Sequence, residues 1–151
     1  MFTKCLEVLF GTNAPAAALL IRLMVGGVFL SEGIQKFIYP DALGVGRFLK
    51  IGIPYPEITA PFVGLVEVGG GILMLAGLLT RLAALALIVD MLVAILTTKI
   101  PILIEEGFFK MAHEARTDYS MLLGSLFLLL AGSGPWSLDR WAQKMTAGKN
   151  L

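Results

Sequence analysis

Five ionisable side chains lie within stretches that are otherwise apolar enough to cross a bilayer: Arg22, Glu32, Lys36, Glu67 and Asp90. Each charge near the centre of a bilayer costs about 2.5–3.5 kcal/mol on insertion scales, so such residues usually face the interior of a helix bundle and pair there. In that setting, carboxylates and cations can hold protons or bind the polar atoms of a ligand. The pattern predicts a membrane protein with a polar site inside it.

Four apolar blocks carry or flank these side chains, and proline, glycine and charged residues separate the blocks. Of the 151 residues, 57% are hydrophobic and 15% are charged, whereas a soluble domain has about 25% charged residues. A helix needs about 20 residues to cross the hydrocarbon core, and the edges of an open sheet would be unsatisfied there. The sequence predicts an all-α, integral membrane four-helix bundle, a single domain over residues 1–151 with spans at about 16–38, 61–79, 82–104 and 117–132.

The loop between the first two spans, residues 39–60, contains its own apolar side chains. Leu43, Phe48 and Ile51 follow Asp41, which can cap a short helix. This pattern predicts a short interfacial or re-entrant segment at the mouth of the bundle. The alternative is an ordinary connecting loop.

The charged residues share helical faces with small residues, which let helix backbones approach closely in lipid. In chain order these faces are Arg22, Gly26, Phe29, Gly33 and Lys36; Gly64, Glu67, Gly71 and Met74; and Ala83, Ala86, Asp90, Ala94 and Thr97.

The depth of each charge follows from a rise of about 1.5 Å per residue. Arg22 and Asp90 both lie roughly 10–13 Å from the end of the bundle that holds the termini, so we predict that they pair. Glu32, Lys36 and Glu67 are predicted to form one cluster beneath the opposite end. Two cations then face three carboxylates, so one acid is protonated, solvated or matched by a cation from the loop after the third span. The alternative is that all these charges are ion pairs that only fix helix register.

Other kinds of site find little support in the composition. Cys5 is the only cysteine, so the chain contains no internal disulfide and no CxxC motif. His113 is the only histidine, and we interpret it as a ligand-binding residue at the pocket rim, with no metal site. A net charge of +1 gives no basic field for nucleic acid.

The order of several motifs is similar to that of the DoxX family of small bacterial membrane proteins. The motifs are RL at 22–23, GIQKF at 33–37, EVGGGILMLAG at 67–77, LLTRLAA at 78–84 and GSGPWSLD at 132–139. The resemblance implies four helices in the bacterial cytoplasmic (inner) membrane with both termini in the cytoplasm, and the denser basic residues near the termini favour the same orientation. It also implies that Arg22, Lys36, Glu67 and Asp118 are pocket residues, whereas Asp90 is this sequence's own addition.

Some DoxX relatives are linked to quinone-coupled sulfur oxidation, and others to membrane oxidoreductase complexes that handle oxidative and thiol stress. The resemblance therefore implies a small component or accessory of a quinone-linked redox system, with a quinone bound in the charged pocket. Glu67 and Glu32 are the predicted proton-transferring, catalytic residues. The predicted ligand-binding residues are Arg22, Lys36, Asp90, Asp118 and His113.

The sequence contains no haem ligand pair, flavin motif or cysteine cluster. The chain is then at most an oxidoreductase subunit, and electrons must come from a soluble or membrane redox partner. The rival hypothesis is a small-solute carrier, a channel subunit or a membrane scaffold without catalysis. A homo-oligomer would supply the bulk that such a small carrier lacks.

Overall fold

The computed structural model describes residues 11–12 and 14–147, which form helices and connecting turns without strands. Three of these helices are long and apolar enough to cross a membrane: Ala18–Ile38, Pro56–Ala76 and Thr80–Glu106. The prediction for Cys5 lies outside the described residues. The helices are α1 (Ala18–Ile38), α2 (Val45–Lys50), α3 (Pro56–Ala76), α4 (Thr80–Glu106), α5 (Phe108–Glu114), α6 (Arg116–Ala131) and α7 (Leu138–Ala147).

Two prolines lie inside long helices. The second span was predicted to begin at Pro61, but its helix begins at Pro56. At the start of a helix, the fixed φ and the missing N–H of proline are well tolerated. Pro61 itself removes one hydrogen bond, to the carbonyl of the exposed Glu57. Pro101 lies within α4, which continues to Glu106. The second and third spans are therefore longer at this end than the sequence predicts.

Helix α1 packs most extensively against α3, through glycines on both helices. A Cβ atom at Gly26 would lie 2.9 Å from the carbonyl oxygen of Gly71, and one at Gly33 would lie 2.8 Å from that of Gly64. The two helices are therefore in contact along their backbones. The predicted faces of the first two spans are confirmed as buried faces.

The described core draws on α1, α3, α4 and α6 together. Helix α4 packs against both α3 and α6. Its buried face is therefore wider than the predicted face and is centred on different residues. Ala83 is buried as predicted, but Ala86 is exposed. The core residues are Val25 and Phe29 of α1, Met74 of α3, Ala83, Ala84, Leu87 and Met91 of α4, and Met121 and Leu128 of α6.

The loop between α1 and α3 contains a short helix, as predicted. Helix α2 buries Phe48 and packs against α3. Asp41 does not cap it, because the helix begins after Gly44 without a side-chain cap. On the same end of the molecule, α5 connects α4 to α6 and contacts both. These two short helices flank the site.

Candidate functional site

Helices α1, α3, α4 and α6 enclose a cavity of about 480 Å³ at the end of the molecule that carries α2 and α5. This volume lies within the range of about 300–1,000 Å³ that is usual for small-molecule sites. Much of the wall is apolar, and its polar groups come from six of the helices. The apolar lining includes Val28, Phe29, Phe62, Val63, Met91 and Met121.

An ion pair between α1 and α3 lies in the cavity wall. Lys36 Nζ is 2.5 Å from Glu67 Oε2, and the two side chains are only 13% and 7% exposed. Asp90 of α4 lies beside both of them. The helix register explains this: Gly70 of α3 packs on Leu87 of α4, which puts Glu67 level with Asp90 one turn closer to the cavity. One ammonium group thus faces two carboxylates, and each of the three groups comes from a different helix.

A second ion pair joins α4 and α6 at the cavity. Lys99 Nζ is 3.2 Å from Asp118 Oδ2, and the side chains are 11% and 21% exposed. Both residues line the cavity. Lys99 was not predicted as a site residue. It lies inside the third apolar block, and a cation within such a block indicates a paired or functional residue. Asp118, which was carried over from the family resemblance as a pocket residue, lines this cavity.

The cavity lining contains more carboxylates than cations. The balance predicted from sequence, two cations against three acids, omitted Lys99 of α4 and Arg47 of α2. Cations from the loop after the third span do not join the lining: Lys110 lies 3.7 Å from Glu114, and Arg116 donates to the His113 carbonyl. The charged lining residues are Lys36, Arg47 and Lys99, and Glu32, Glu67, Asp90, Glu114 and Asp118.

Arg22 lies outside this cavity, at the opposite end of the molecule. It is 2% exposed, and its guanidinium donates to the carbonyl oxygens of Met74 (2.9 Å) and Leu75 (2.7 Å) in the last turn of α3, where the Met74 carbonyl also accepts the amide of Gly77. It also donates to the carbonyls of Ser133 (3.3 Å) and Trp136 (2.6 Å). The predicted pairing of Arg22 with Asp90 is therefore wrong, and so is its predicted place in the pocket.

The turn between α3 and α4 is built around this arginine. Gly77 ends α3 with φ of 65°, and a Cβ atom there would come within 2.5 Å of the Arg22 guanidinium. Asp139 accepts hydrogen bonds from the amides of Leu79 (2.7 Å) and Thr80 (3.0 Å) at the start of α4. Arg22 thus caps the negative end of one helix and Asp139 the positive end of the next.

Comparison with known families gives a match over more than half of the chain. The family model described as DoxX matches residues 17–100. The chain belongs to the DoxX family. The resemblance expected from the motifs is thereby confirmed, and the matched part of the chain includes both Arg22 and the cluster of Lys36, Glu67 and Asp90.

Two curated relatives cover most of this DoxX protein. It is 54% identical over 142 residues to the uncharacterized membrane protein Rv3486 of Mycobacterium tuberculosis (strain ATCC 25618 / H37Rv), across 90% of this chain and 87% of the relative. It is 30% identical over 133 residues to the putative oxidoreductase CatD of Bacillus subtilis (strain 168), across 88% of this chain and 92% of the relative. No solved structure gives a significant match. The DoxX protein is thus a membrane protein, and three helices among its described residues are suited to spanning.

Two other predicted site residues of this DoxX protein lie at its periphery. Glu32 lines the cavity but is exposed, and it forms no ion pair with Lys36, which is paired with Glu67 instead. His113 is exposed on α5 and does not line the cavity. Lys36, Glu67, Asp90 and Asp118 are the predicted residues that the fold gathers with largely buried or half-buried side chains.

Proposed function

We propose that this DoxX protein is a small integral component of a quinone-linked redox system and that its cavity binds the quinone head group. One observation carries the proposal: a largely buried Lys36–Glu67 ion pair with Asp90 beside it, in the wall of a cavity much of which is apolar. The likeness to a putative oxidoreductase supports it as well.

The residues of the cavity fit a quinone in size and in chemistry. A quinone head group is a flat apolar ring with two carbonyl acceptors, and a cavity of about 480 Å³ accommodates such a ring. The ammonium group of Lys36 has three N–H donors, and Glu67 takes one, so donors remain for a ligand carbonyl. Phe29, Met91 and Met121 supply apolar and polarisable surface for the ring.

The roles of the charged residues follow from their places in the lining. Lys36 donates to a carbonyl oxygen, and the neighbouring carboxyl groups of Glu67 and Asp90 hold and release the two protons that accompany two-electron transfer. The exposed Glu32 connects the cavity with the outside. A bound quinone would supply the two-electron redox chemistry, and a soluble or membrane partner protein would exchange electrons with it.

The same proposal includes the full membrane arrangement. Helix α6, with 16 residues, serves as a fourth span that borrows its polar flanks or lies in a thinned bilayer. Its support is packing: α6 contacts α4 and α1 and contributes Met121 and Leu128 to the common core. The result is one four-helix domain in the bacterial cytoplasmic membrane with both termini in the cytoplasm.

The test is mass spectrometry of small molecules extracted from the protein after purification in mild detergent. Wild type is run beside Lys36→Met and Glu67→Gln, with Lys110→Met, an exposed residue outside the cavity lining, as the matched control. We expect a quinone in wild type and in the control. Its amount per protein falls about tenfold or more in Lys36→Met, because a charge-assisted hydrogen bond contributes about 1.5–3 kcal/mol. Glu67→Gln folds but loses quinone-dependent turnover with a partner.

Three results would each count against a part of this proposal. Bulk phospholipid alone in all four samples would reduce the charges to ion pairs that hold the helices in register. Undiminished quinone-dependent turnover in Glu67→Gln would remove the proton role of that residue. Solute flux through vesicles without any partner would instead favour a carrier or channel subunit.

A further inference from the structure

Helix α7 exposes only positive charge. Its one acidic residue, Asp139, is 2% exposed, and its two carboxylate oxygens accept the amides of Leu79 and Thr80. The remaining charged residues of the helix are Arg140, which is half-buried, and Lys144, which is exposed. The negative charge within the helix is therefore turned inward, while both positive charges remain at the surface.

A stripe of apolar side chains runs along the same helix. Leu138, Trp141 and Met145 follow one another at helical spacing and are 45%, 63% and 50% exposed. Trp136, in the preceding turn, is 67% exposed. With Ala76 at the end of α3, three of these residues and Ser137 line a shallow groove. A ten-residue helix is too short to cross a bilayer, so this stripe is not explained by spanning.

The surrounding surface has the same sign. Arg81, at the start of α4, lies at this end of the molecule and donates to the carbonyl of Leu130. Within 77–82 and 132–147, the described carboxylate is the buried Asp139. Tryptophan beside lysine and arginine is the composition that favours the boundary between head groups and acyl chains.

We propose that α7 docks on the anionic lipid leaflet at this end of the bundle. The stripe of Leu138, Trp141 and Met145 lies at the boundary of the acyl chains, and Arg140 and Lys144 contact the phosphate groups of anionic phospholipids. Because Asp139 ties α7 to the α3–α4 turn, the docked helix fixes the height of that turn relative to the membrane surface. This inference concerns the surface of the protein and is independent of any ligand in the cavity.

The experiment uses the two tryptophans of the chain. In full-length protein reconstituted into vesicles, Trp136→Phe leaves Trp141 as the only tryptophan. Brominated acyl chains report contact with lipid, and acrylamide, a neutral quencher that charged vesicles do not repel, reports contact with water. The vesicles contain phosphatidylcholine either alone or with phosphatidylglycerol. We expect quenching of Trp141 by bromine near the head-group end of the chain, and at least twofold stronger protection from acrylamide in the anionic vesicles.

The charges are tested in the same background. Arg140→Gln with Lys144→Gln should abolish the difference between the two kinds of vesicle, whereas Lys110→Gln on α5 should leave it unchanged. High salt should weaken the difference as well. Trp141 that acrylamide quenches freely in both vesicles would overturn the docking. Equal protection in both vesicles, unchanged by the double substitution, would overturn the selectivity for anionic lipid.

Discussion

Arg22 and Lys36 lie on the same face of α1 but meet different partners. Arg22 donates four hydrogen bonds to backbone carbonyls of two other segments. Lys36 meets the side-chain carboxylates of Glu67 and Asp90. The planar fork of arginine suits several fixed acceptors, whereas the compact ammonium of lysine can exchange one acceptor for another. Arg22 thus stabilises the contact between the end of α3 and the turn that precedes α7, and Lys36 is the cation available to a ligand.

This difference predicts the effect of Arg22→Lys. Lysine cannot reach the carbonyls of Met74, Leu75 and Trp136 at once, and each charge-assisted hydrogen bond that is lost costs about 1.5–3 kcal/mol. We expect a clearly lower melting temperature in detergent, but an unchanged amount of cavity ligand per folded protein. Thermal unfolding and ligand analysis of the same sample measure the two effects. Loss of ligand at an unchanged melting temperature would place Arg22 in the binding site after all.

The contact between α1 and α3 depends on which side of each helix carries glycine. Gly26 faces the backbone of Gly71, whereas a Cβ atom at its neighbour Gly27 would meet no atom within 4 Å. Helix α3 also contains two adjacent glycines with different surroundings: Gly70 packs on Leu87 of α4, whereas Gly69 faces open space. Two adjacent glycines therefore have opposite roles, one in packing within the protein and one on its outer surface.

The adjacent pair provides a matched test of helix packing. Gly26→Ala should lower the free energy of unfolding by about 1–3 kcal/mol, because the added methyl group meets a backbone oxygen. Gly27→Ala should be neutral or stabilise by up to about 1 kcal/mol, because alanine favours the helix. Unfolding in detergent measures both. Equal destabilisation by the two substitutions would mean that α1 and α3 do not meet along this face.

Sequence reasoning finds the helical faces but not the heights at which helices meet. The alternation of Arg22, Gly26, Phe29 and Gly33 is enough to predict the buried face of α1, because a face depends on local spacing alone. The partner of Asp90 was missed because relative height depends on where each helix begins and on the contact between Gly70 and Leu87. Lys99 was overlooked because its spacing from Asp90 does not place the two side chains on the same face of the helix.

The two ends of the molecule differ in their exposed carboxylates. The end with α2 and α5 exposes Asp41, Glu57, Glu105, Glu106 and Glu114, beside the exposed cations Arg47, Lys50, Lys110 and Arg116. The end with α7 carries Arg81, Arg140 and Lys144, and its described carboxylate is buried. Positive residues in short segments beside the spans are retained on the cytoplasmic side. The proposed orientation places Arg81, Arg140 and Lys144, which lie in short segments, in the cytoplasm and the mouth of the cavity at the outer face.

This orientation can be measured with single cysteines. In a Cys5→Ser background, which removes the only native thiol, Glu57→Cys should react in intact cells with a maleimide that cannot cross the membrane. Lys144→Cys should react only after the cells are permeabilised. The reverse pattern would place the cavity mouth in the cytoplasm, and reaction of both thiols in intact cells would mean that the two ends do not lie on opposite sides.

The contacts of Arg22 have a consequence for how the chain is made. Its carbonyl partners come 52, 53, 111 and 114 residues later in the sequence. During translation, α1 therefore enters the bilayer with a cation whose last acceptors have not yet been synthesised. Until Ser133 and Trp136 emerge, the guanidinium has only the Met74 and Leu75 carbonyls of its four acceptors, and its remaining N–H groups need another partner. We expect a chain that stops before this turn to be degraded faster than the full-length chain, because a buried arginine then lacks half of its acceptors.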